Sequence, residues 1–443
     1  MRVSVIGTGY VGLVAGTCFS DVGNHVICVD NVRSKIDALL EGRIPIYEPG
    51  LSEMVKRNAA AGRLEFTTDL SYAVANSLVI FLAVGTPQGN DGDADLSALL
   101  SVAAEIGRLM DGYRIIVTKS TVPVGTHQRV NEIIKAETDH PFDYVSNPEF
   151  MKEGAAIDDF MKPDRAVIGT TNPAVVEIMK QLYSPFMRKQ DRILVMDPAS
   201  AEMVKYASNV MLATKISLMN EVANLCEHFG ANVETVRRGV GSDRRIGNAF
   251  LFPGVGYGGS CFPKDVNAFI HMGLATGQPA VVAQAVHDRN QEQRRRFARR
   301  IIDYFGDRVG DVTLGVWGLA FKGQTDDVRE SPAIDAIRLF IEAGMTIRAH
   351  DPEAIENAKT EINGDRVSYF ADGYEALEGA DAMVVFTDWQ EFRTPDFDLI
   401  LQKLKRPLIF DGRNLYDPIP LRNKGFEYHS IGRPTVKPTQ GGG

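Results

Sequence analysis

The chain is 443 residues long, 44% hydrophobic, and carries a formal net charge of −9. That length suffices for two or three cores and predicts about three domains. The acidic balance argues against a nucleic-acid partner, and no apolar stretch reaches the roughly eighteen residues that span a bilayer, so no membrane partner is expected.

Met1 to Ile6 read as a short apolar strand, followed by Gly7-Thr8-Gly9-Tyr10-Val11-Gly12 and a helix. This is G-x-G-x-x-G between strand and helix, the fingerprint of a dinucleotide cradle. The glycines allow a tight turn, close approach of a pyrophosphate and close packing of helix on strand. The first N–H groups of the helix then face the anion. A second strand, His25 to Val29, ends at Asp30. A carboxylate there binds a ribose 2′-hydroxyl and repels a 2′-phosphate, so the expected cofactor is NAD. The chain opens directly on a strand, which predicts no signal peptide. Four cysteines without C-x-x-C spacing argue against a zinc site, and no metal is expected. Cys18, Cys28 and Cys226 fall in apolar elements as core residues. A reduced, cytoplasmic protein is the expectation.

Leu78 to Val84 is a continuous apolar run closed by Gly85-Thr86-Pro87, as a buried parallel strand requires. Arg114 to Thr118 leads into Lys119-Ser120-Thr121-Val122-Pro123, a strand end of the kind where ligands bind in open α/β sheets. Tyr144 to Ser146 ends at Asn147-Pro148-Glu149, and the strands Arg165 to Ile168 and Ile193 to Met196 complete a first sheet in a domain placed at 1–197. From Ser200 to Gly230, and again from Gln278 to Phe305, the pattern is helical and long. This defines a central helical domain at 198–308, and such helices commonly link domains and pair subunits. The arginine cluster Arg294-Arg295-Arg296, Arg299 and Arg300 reads as a solvated helix face.

A second alternation begins at Asp311: strands at Val312 to Trp317, Thr346 to His350, Ala382 to Phe386 and Pro407 to Phe410, with a helix after Ser331-Pro332. It forms a domain at 309–433 with Gly315 and Gly318 but no complete glycine fingerprint, so its ligand is expected not to be a dinucleotide. Residues 434–443 are rich in Pro and Gly and are expected to be disordered. The fold class is α/β, with two doubly wound Rossmann-like domains joined by a central long-helix region.

Chemistry concentrates in Gly256-Tyr257-Gly258-Gly259-Ser260-Cys261-Phe262-Pro263-Lys264-Asp265. The glycines let the backbone take positive φ and approach a ligand closely. Pro263 suits the first turn of a following helix, which places the Cys261 thiol near a helix N-terminus. That position, with Lys264 beside it, favours the nucleophilic thiolate. An inert buried thiol is the commoner fate of a free cysteine, but a bland loop has no need of this arrangement. Lys205 and Asn209 stand at i and i+4 on one face of the long helix, where they can present an ammonium and an amide to a developing oxyanion. Asp265 can orient Lys205 or a water. Glu149 and Glu153 follow a strand end and can act as base or bind substrate, although glutamates near a turn are as often solvated.

Together the motifs Gly7-to-Gly12 with Asp30, Lys119-to-Pro123, Asn147-Pro148-Glu149-Phe150, Lys205 with Asn209, Gly256-to-Asp265, Gly318-Leu319-Ala320-Phe321-Lys322 and Asp411-Gly412-Arg413-Asn414 resemble the UDP-glucose/GDP-mannose dehydrogenase family. The resemblance covers nearly the whole chain in order, and the cysteine loop is most similar to the UDP-glucose branch. It implies a four-electron oxidation of UDP-glucose to UDP-glucuronate with two NAD+ in succession, and a homodimer or larger homo-oligomer. An alcohol becomes an aldehyde by losing a hydride and a proton. A thiolate must then add to the aldehyde before a second hydride can leave to give a thioester, and water with a general base completes the reaction. Which group removes the alcohol proton stays open.

By the same resemblance Glu149 is the base for hydrolysis and Thr121 positions the water. Gly7, Gly9, Tyr10, Val11, Gly12, Asp30, Lys35, Thr86, Thr121, Glu153, Lys264 and Arg329 would bind NAD. Glu149, Phe150, Lys205, Asn209, Phe250, Gly254, Tyr257 and Phe262 would surround the sugar nucleotide. Lys322 and Arg413 would hold its uracil or phosphate end, and Arg245 would reach it from a partner subunit. Two alternatives carry weight. One is a relative acting on GDP-mannose or UDP-N-acetylmannosamine, although an acetamido-sugar enzyme is expected to show histidine where Ser260 stands. The other is a non-catalytic NAD-sensing protein, against which Cys261, Lys205, Asn209 and Asp265 together argue.

Overall fold

A strand covered on both faces needs apolar residues at successive positions, and both sheets of this chain are built that way. The computed structural model describes residues 1–89, 92–187 and 192–438. Its contacts divide the chain into two compact units: Met1–Ser208 with His271–Gln278, and Asn209–Ile270 with Pro279 onward.

The first unit holds an eight-stranded sheet: β1 (Arg2–Ile6), β2 (His25–Val29), β3 (Leu64–Thr67), β4 (Val79–Leu82), β5 (Arg114–Thr118), β6 (Phe142–Ser146), β7 (Ala166–Gly169) and β8 (Ile193–Met196). The order is β3-β2-β1-β4-β5-β6-β7-β8. Neighbours are parallel except β6 and β7, which pair antiparallel through Ser146 and Gly169. In β4, Val79 and Phe81 pack into one core while Ile80 and Leu82 pack into another, so the sheet is covered on both sides. Helix α1 (Tyr10–Asp21) follows β1 and buries Leu13, Val14, Cys18 and Phe19 against one face.

The second unit holds a six-stranded, wholly parallel sheet: β9 (Thr313–Trp317), β10 (Thr346–His350), β11 (Val367–Tyr369), β12 (Ala382–Val385), β13 (Leu408–Asp411) and β14 (Glu427–His429). Its order, β11-β10-β9-β12-β13-β14, is the 3-2-1-4-5-6 winding of a Rossmann fold. Strands β3, β11 and β14 lie outside the sequence expectation. They are three or four residues long, interrupted by Glu65, Ser368 or His429, and too short to show a period.

Three long helices carry the central stretch: α2 (Pro198–Phe229), α3 (Phe262–Ala275) and α4 (Val281–Phe305). The division into two compact units falls within this stretch. Helix α2 runs through the boundary between the units, and the last part of α3 groups with the first unit. The segment from Pro434, expected as a disordered tail, is partly paired: Val436 and Tyr428 exchange two backbone hydrogen bonds of 2.9 and 3.1 Å. Residues 439–443 of that expectation lie outside the described residues.

Candidate active site

In the first unit the glycine fingerprint forms the turn that the sequence predicts. Gly7 has φ +102°, and its N–H donates to the Val29 carbonyl at 2.7 Å. A side chain at Gly12 would run into the Gly7 carbonyl, whereas a Cβ at Gly9 would meet open space. Gly9 caps α1 with no side-chain hydrogen bond to the first turn, which leaves those N–H groups to an anion. The cradle therefore fits a dinucleotide pyrophosphate. Asp30, buried at the end of β2, accepts from the Thr8 N–H and hydroxyl (both 2.9 Å) and from the Val32 N–H (3.0 Å), with Lys35 at 3.7 Å. Burial pushes its carboxyl up, but these hydrogen bonds and the Lys35 charge outweigh burial and hold it below the ordinary value. Thr86 donates to the Thr121 carbonyl at 2.8 Å, which joins the ends of β4 and β5.

Tyr10 is held by a residue that sequence reasoning missed. The buried Glu48 accepts from the Tyr10 hydroxyl and from the N–H groups of Gly154 (2.7 Å) and Ala156 (2.8 Å). It thereby fixes the turn that carries the half-buried Glu153. The one hint was an acid between Tyr47 and Pro49, in a segment with no periodicity.

The strongest electrostatic feature lies at the carboxyl end of β6. Lys205 and Glu149 form an ion pair of 2.7 Å with side chains only 4% and 5% exposed. Burial acts to raise the Glu149 carboxyl, but the Lys205 charge and hydrogen bond, the Met151 N–H and Lys119 together bring it below the ordinary range. Glu149 is thus the buried carboxylate of an ion pair and not a solvated surface charge. Lys119, quoted in a motif but given no role, is a second buried cation. It donates to Asn147 (3.2 Å) and the Tyr183 hydroxyl (3.3 Å), and burial pushes its ammonium down to about 8. Its signal was a lysine closing an apolar strand. Phe150 packs its ring under Arg165 at 3.7 Å, with Lys205 at 5.6 Å.

In the second unit Cys261 is the residue immediately before α3, and its carbonyl accepts the Asp265 N–H at 2.8 Å. The thiol is half-buried, whereas Cys18, Cys28 and Cys226 are buried, and burial pushes Cys28 up to about 12. The Ser260 hydroxyl lies 3.6 Å from the Cys261 sulfur. Asp265 is fully buried and accepts from Asn209 (2.6 Å) and Lys264 (2.6 Å). Asn209 and Lys264 are donors that the sequence reading, which offered Lys205 or a water to Asp265, did not name. Tyr257 meets Phe262 edge to face at 5.6 Å, and Phe250, at φ +64°, lies 6.2 Å from Phe262. Gly259 needs its missing side chain, because a Cβ there would come within 2.7 Å of the Phe321 ring.

Arg413 projects from the loop after β13, donates to the carbonyls of Phe386 (2.6 Å) and Phe321, and has its guanidinium lowered by burial, which Asp388 opposes. A Cβ at Gly254 would lie 3.8 Å from that guanidinium. Lys322 is half-buried against the Phe321 ring. Arg245 and Arg329 are exposed and each forks onto a nearby aspartate, Asp243 and Asp327.

Family models match the chain in three consecutive pieces: the NAD binding domain of the UDP-glucose/GDP-mannose dehydrogenase family at residues 1–187, its central domain at 199–292, and its UDP binding domain at 315–418. The chain belongs to the UDP-glucose/GDP-mannose dehydrogenase family. The UDP-glucose 6-dehydrogenase of Pseudomonas aeruginosa is 46% identical, with 98% of each chain covered. A solved UDP-glucose dehydrogenase from Pyrobaculum islandicum superposes with TM-score 0.86 at 38% identity over 94% of each chain. A UDP-D-ManNAc dehydrogenase from Pyrococcus horikoshii does so with TM-score 0.85 at 26% identity, covering 98% of this chain and 99% of the other.

The Lys205–Glu149 pair yields a stability prediction. Lys205→Met leaves a buried carboxylate without its nearest cation and is expected to cost about 3–5 kcal/mol in urea unfolding at pH 7.5. Adding Glu149→Gln should recover part of that loss. In the native protein the carboxyl titrates below its unfolded value of about 4.3. Its contribution is therefore present above that value and lost as pH falls through the lower folded one. In Lys205→Met burial raises the carboxyl instead, so the deficit should shrink on acidification. Equal losses in single and double variants, with no pH dependence, would contradict this.

Proposed function

We propose that this chain is a UDP-glucose 6-dehydrogenase acting through a covalent Cys261 thioester. The observation that carries the reading is a half-buried thiol at the N-terminus of α3, four residues before a fully buried aspartate held by Asn209 and Lys264. A helix N-terminus favours the thiolate. NAD+ bound on the glycine turn supplies the hydride acceptor for both two-electron steps.

The residues divide the remaining work. The alcohol carbon first loses a hydride and its oxygen loses a proton, which gives the aldehyde. The Cys261 thiolate then adds to that carbon: a C–S bond forms and the carbonyl pair moves onto oxygen. Asn209 and the Lys205 ammonium are suited to stabilise this oxyanion. Loss of a second hydride from the same carbon leaves a thioester. Glu149 accepts a proton from the attacking water, which Thr121 positions, and the C–S bond breaks to return the thiolate and release the uronate. Asp30 selects NAD by the ribose hydroxyl. Lys322 and Arg413 hold the nucleotide end, which Phe250, Gly254, Tyr257 and Phe262 bring up to the thiol.

The GDP-mannose and N-acetyl-sugar alternatives are weaker. Identity is 46% with the UDP-glucose enzyme and 26% with the N-acetyl-sugar relative over comparable coverage, and Ser260 stands where histidine is expected in the latter. A non-catalytic NAD-sensing protein would have no use for Asp265 buried against Asn209.

A homodimer is the assembly this reading favours. Met211, Leu218 and Leu225 recur every seven residues on α2, with Phe229 one turn further, and all are 52% to 75% exposed. A stripe of this kind asks for a partner helix. Leu218→Glu is expected to shift the protein toward monomer in sedimentation velocity; an unchanged assembly would place the contact elsewhere.

Cys261→Ala should abolish uronate formation and leave at most one NADH per UDP-glucose, with NAD+ affinity unchanged because Asp30 and the glycine turn lie in a different segment. Near-normal uronate production by this variant would refute the covalent mechanism.

A further inference from the structure

A run of six residues containing four glycines has few side chains with which to hold itself, and each glycine adds to the entropy that ordering must remove. Yet residues 254 to 259 are all buried, so another element must fix the backbone ahead of Cys261. Helices α4 and α2 do so with buried amides. Asn290 accepts from the Tyr257 N–H at 2.9 Å and donates to the Tyr257 carbonyl at 3.0 Å, the pairing a neighbouring strand would supply. At Gly254 the N–H donates to Asn220 at 2.7 Å and the carbonyl accepts from Gln293 at 2.8 Å. Asn224 in turn donates to Gln293 at 3.0 Å. Asn220, Asn290 and Gln293 are 0%, 2% and 2% exposed.

These positions are costly for polar residues. Asn290 and Gln293 fall in phase with Val286, Phe297 and Ile301, the apolar stripe of α4, where an apolar residue would pack without a desolvation cost. The loop is also held from its other side. The Gly259 N–H donates to the Arg329 carbonyl at 2.9 Å, and Arg294, one turn beyond Asn290, pairs with Glu330 and Asp335.

We propose that Asn290, supported by Gln293, is the positioning residue for the nucleophile: it fixes the chain at Tyr257 so that the Cys261 sulfur reaches the aldehyde carbon before the aldehyde escapes. This rests on the reading of Cys261 as the nucleophile. The first oxidation makes no bond to sulfur, whereas the second begins only once the C–S bond has formed. A displaced thiol therefore slows the second oxidation alone. A general loss of structure slows both.

The test is the ratio of NADH formed to UDP-glucose consumed by full-length protein in the presence of hydroxylamine, which condenses with a free aldehyde to an oxime and water. The native protein should give a ratio near two and little oxime. Asn290→Ala should move the ratio toward one, with oxime detected by mass and the uronate rate reduced about tenfold or more, as expected for a misplaced reactive group. The first-turnover NADH rate should stay within about threefold of native, well short of that loss. If Asn290→Ala does not fold, Gln293→Met decides by the same readout. A ratio that stays at two, or both rates falling together, would overturn the positioning role. Cys261→Ala in parallel separates the two readings. If it still gives uronate and a ratio of two, the covalent mechanism falls and this inference with it. If it stops at the aldehyde while the Asn290 and Gln293 variants do not, only the positioning role falls.

Discussion

An ammonium removed from water requires a carboxylate, and α2 carries one with almost no access to solvent. Lys205 meets that requirement with Glu149, which ties the loop after β6 to the helix within the first unit. One turn later the same helix presents Asn209, which holds the fully buried Asp265 in the first turn of α3. Cys261 precedes that turn. Each of these two polar residues of α2 holds one buried acid, Glu149 in the first unit and Asp265 in the second.

A buried ion pair is weak support for stability, because desolvation offsets much of the attraction. Its retention is better explained by what it keeps charged. Glu149 is held ionised below its ordinary range, and Lys119 adds a second buried positive charge near it. Glu149 thus stands under the influence of two buried lysines, Lys205 in direct contact and Lys119 through its charge.

Much of this was legible in the sequence because the signals were long or dense. The apolar runs of β1, β4 and β5, the glycine fingerprint and the cysteine loop each combine several residues whose physical demands agree. Asp30 ends β2 as the strand pattern predicted, and it accepts hydrogen bonds from Thr8 and Val32. The rest was illegible for identifiable reasons. Strands β3, β11 and β14 are too short for a period to show, and the antiparallel step between β6 and β7 leaves no trace in composition. Glu48 acts through backbone N–H groups more than a hundred residues away, which no local pattern records. Asn290 and Gln293 interrupt the apolar stripe of α4, and a polar residue in such a stripe reads as a gap until its partner is seen. That Asn209 and Lys264 hold Asp265 was not legible, because spacing along a chain does not say which donors a carboxylate faces.

The central claim is that the uronate passes through an acyl group on Cys261. The most direct measurement is peptide mass spectrometry of the Glu149→Gln protein quenched in acid during turnover with NAD+ and UDP-glucose. If Glu149 accepts the proton from water, as proposed, its replacement should make thioester hydrolysis the slow step. The peptide containing Cys261 should then carry the mass of the nucleotide-sugar acyl group, and hydroxylamine should remove it. A modified peptide bearing Lys205, or an unmodified Cys261 while NADH is still being formed, would contradict the account.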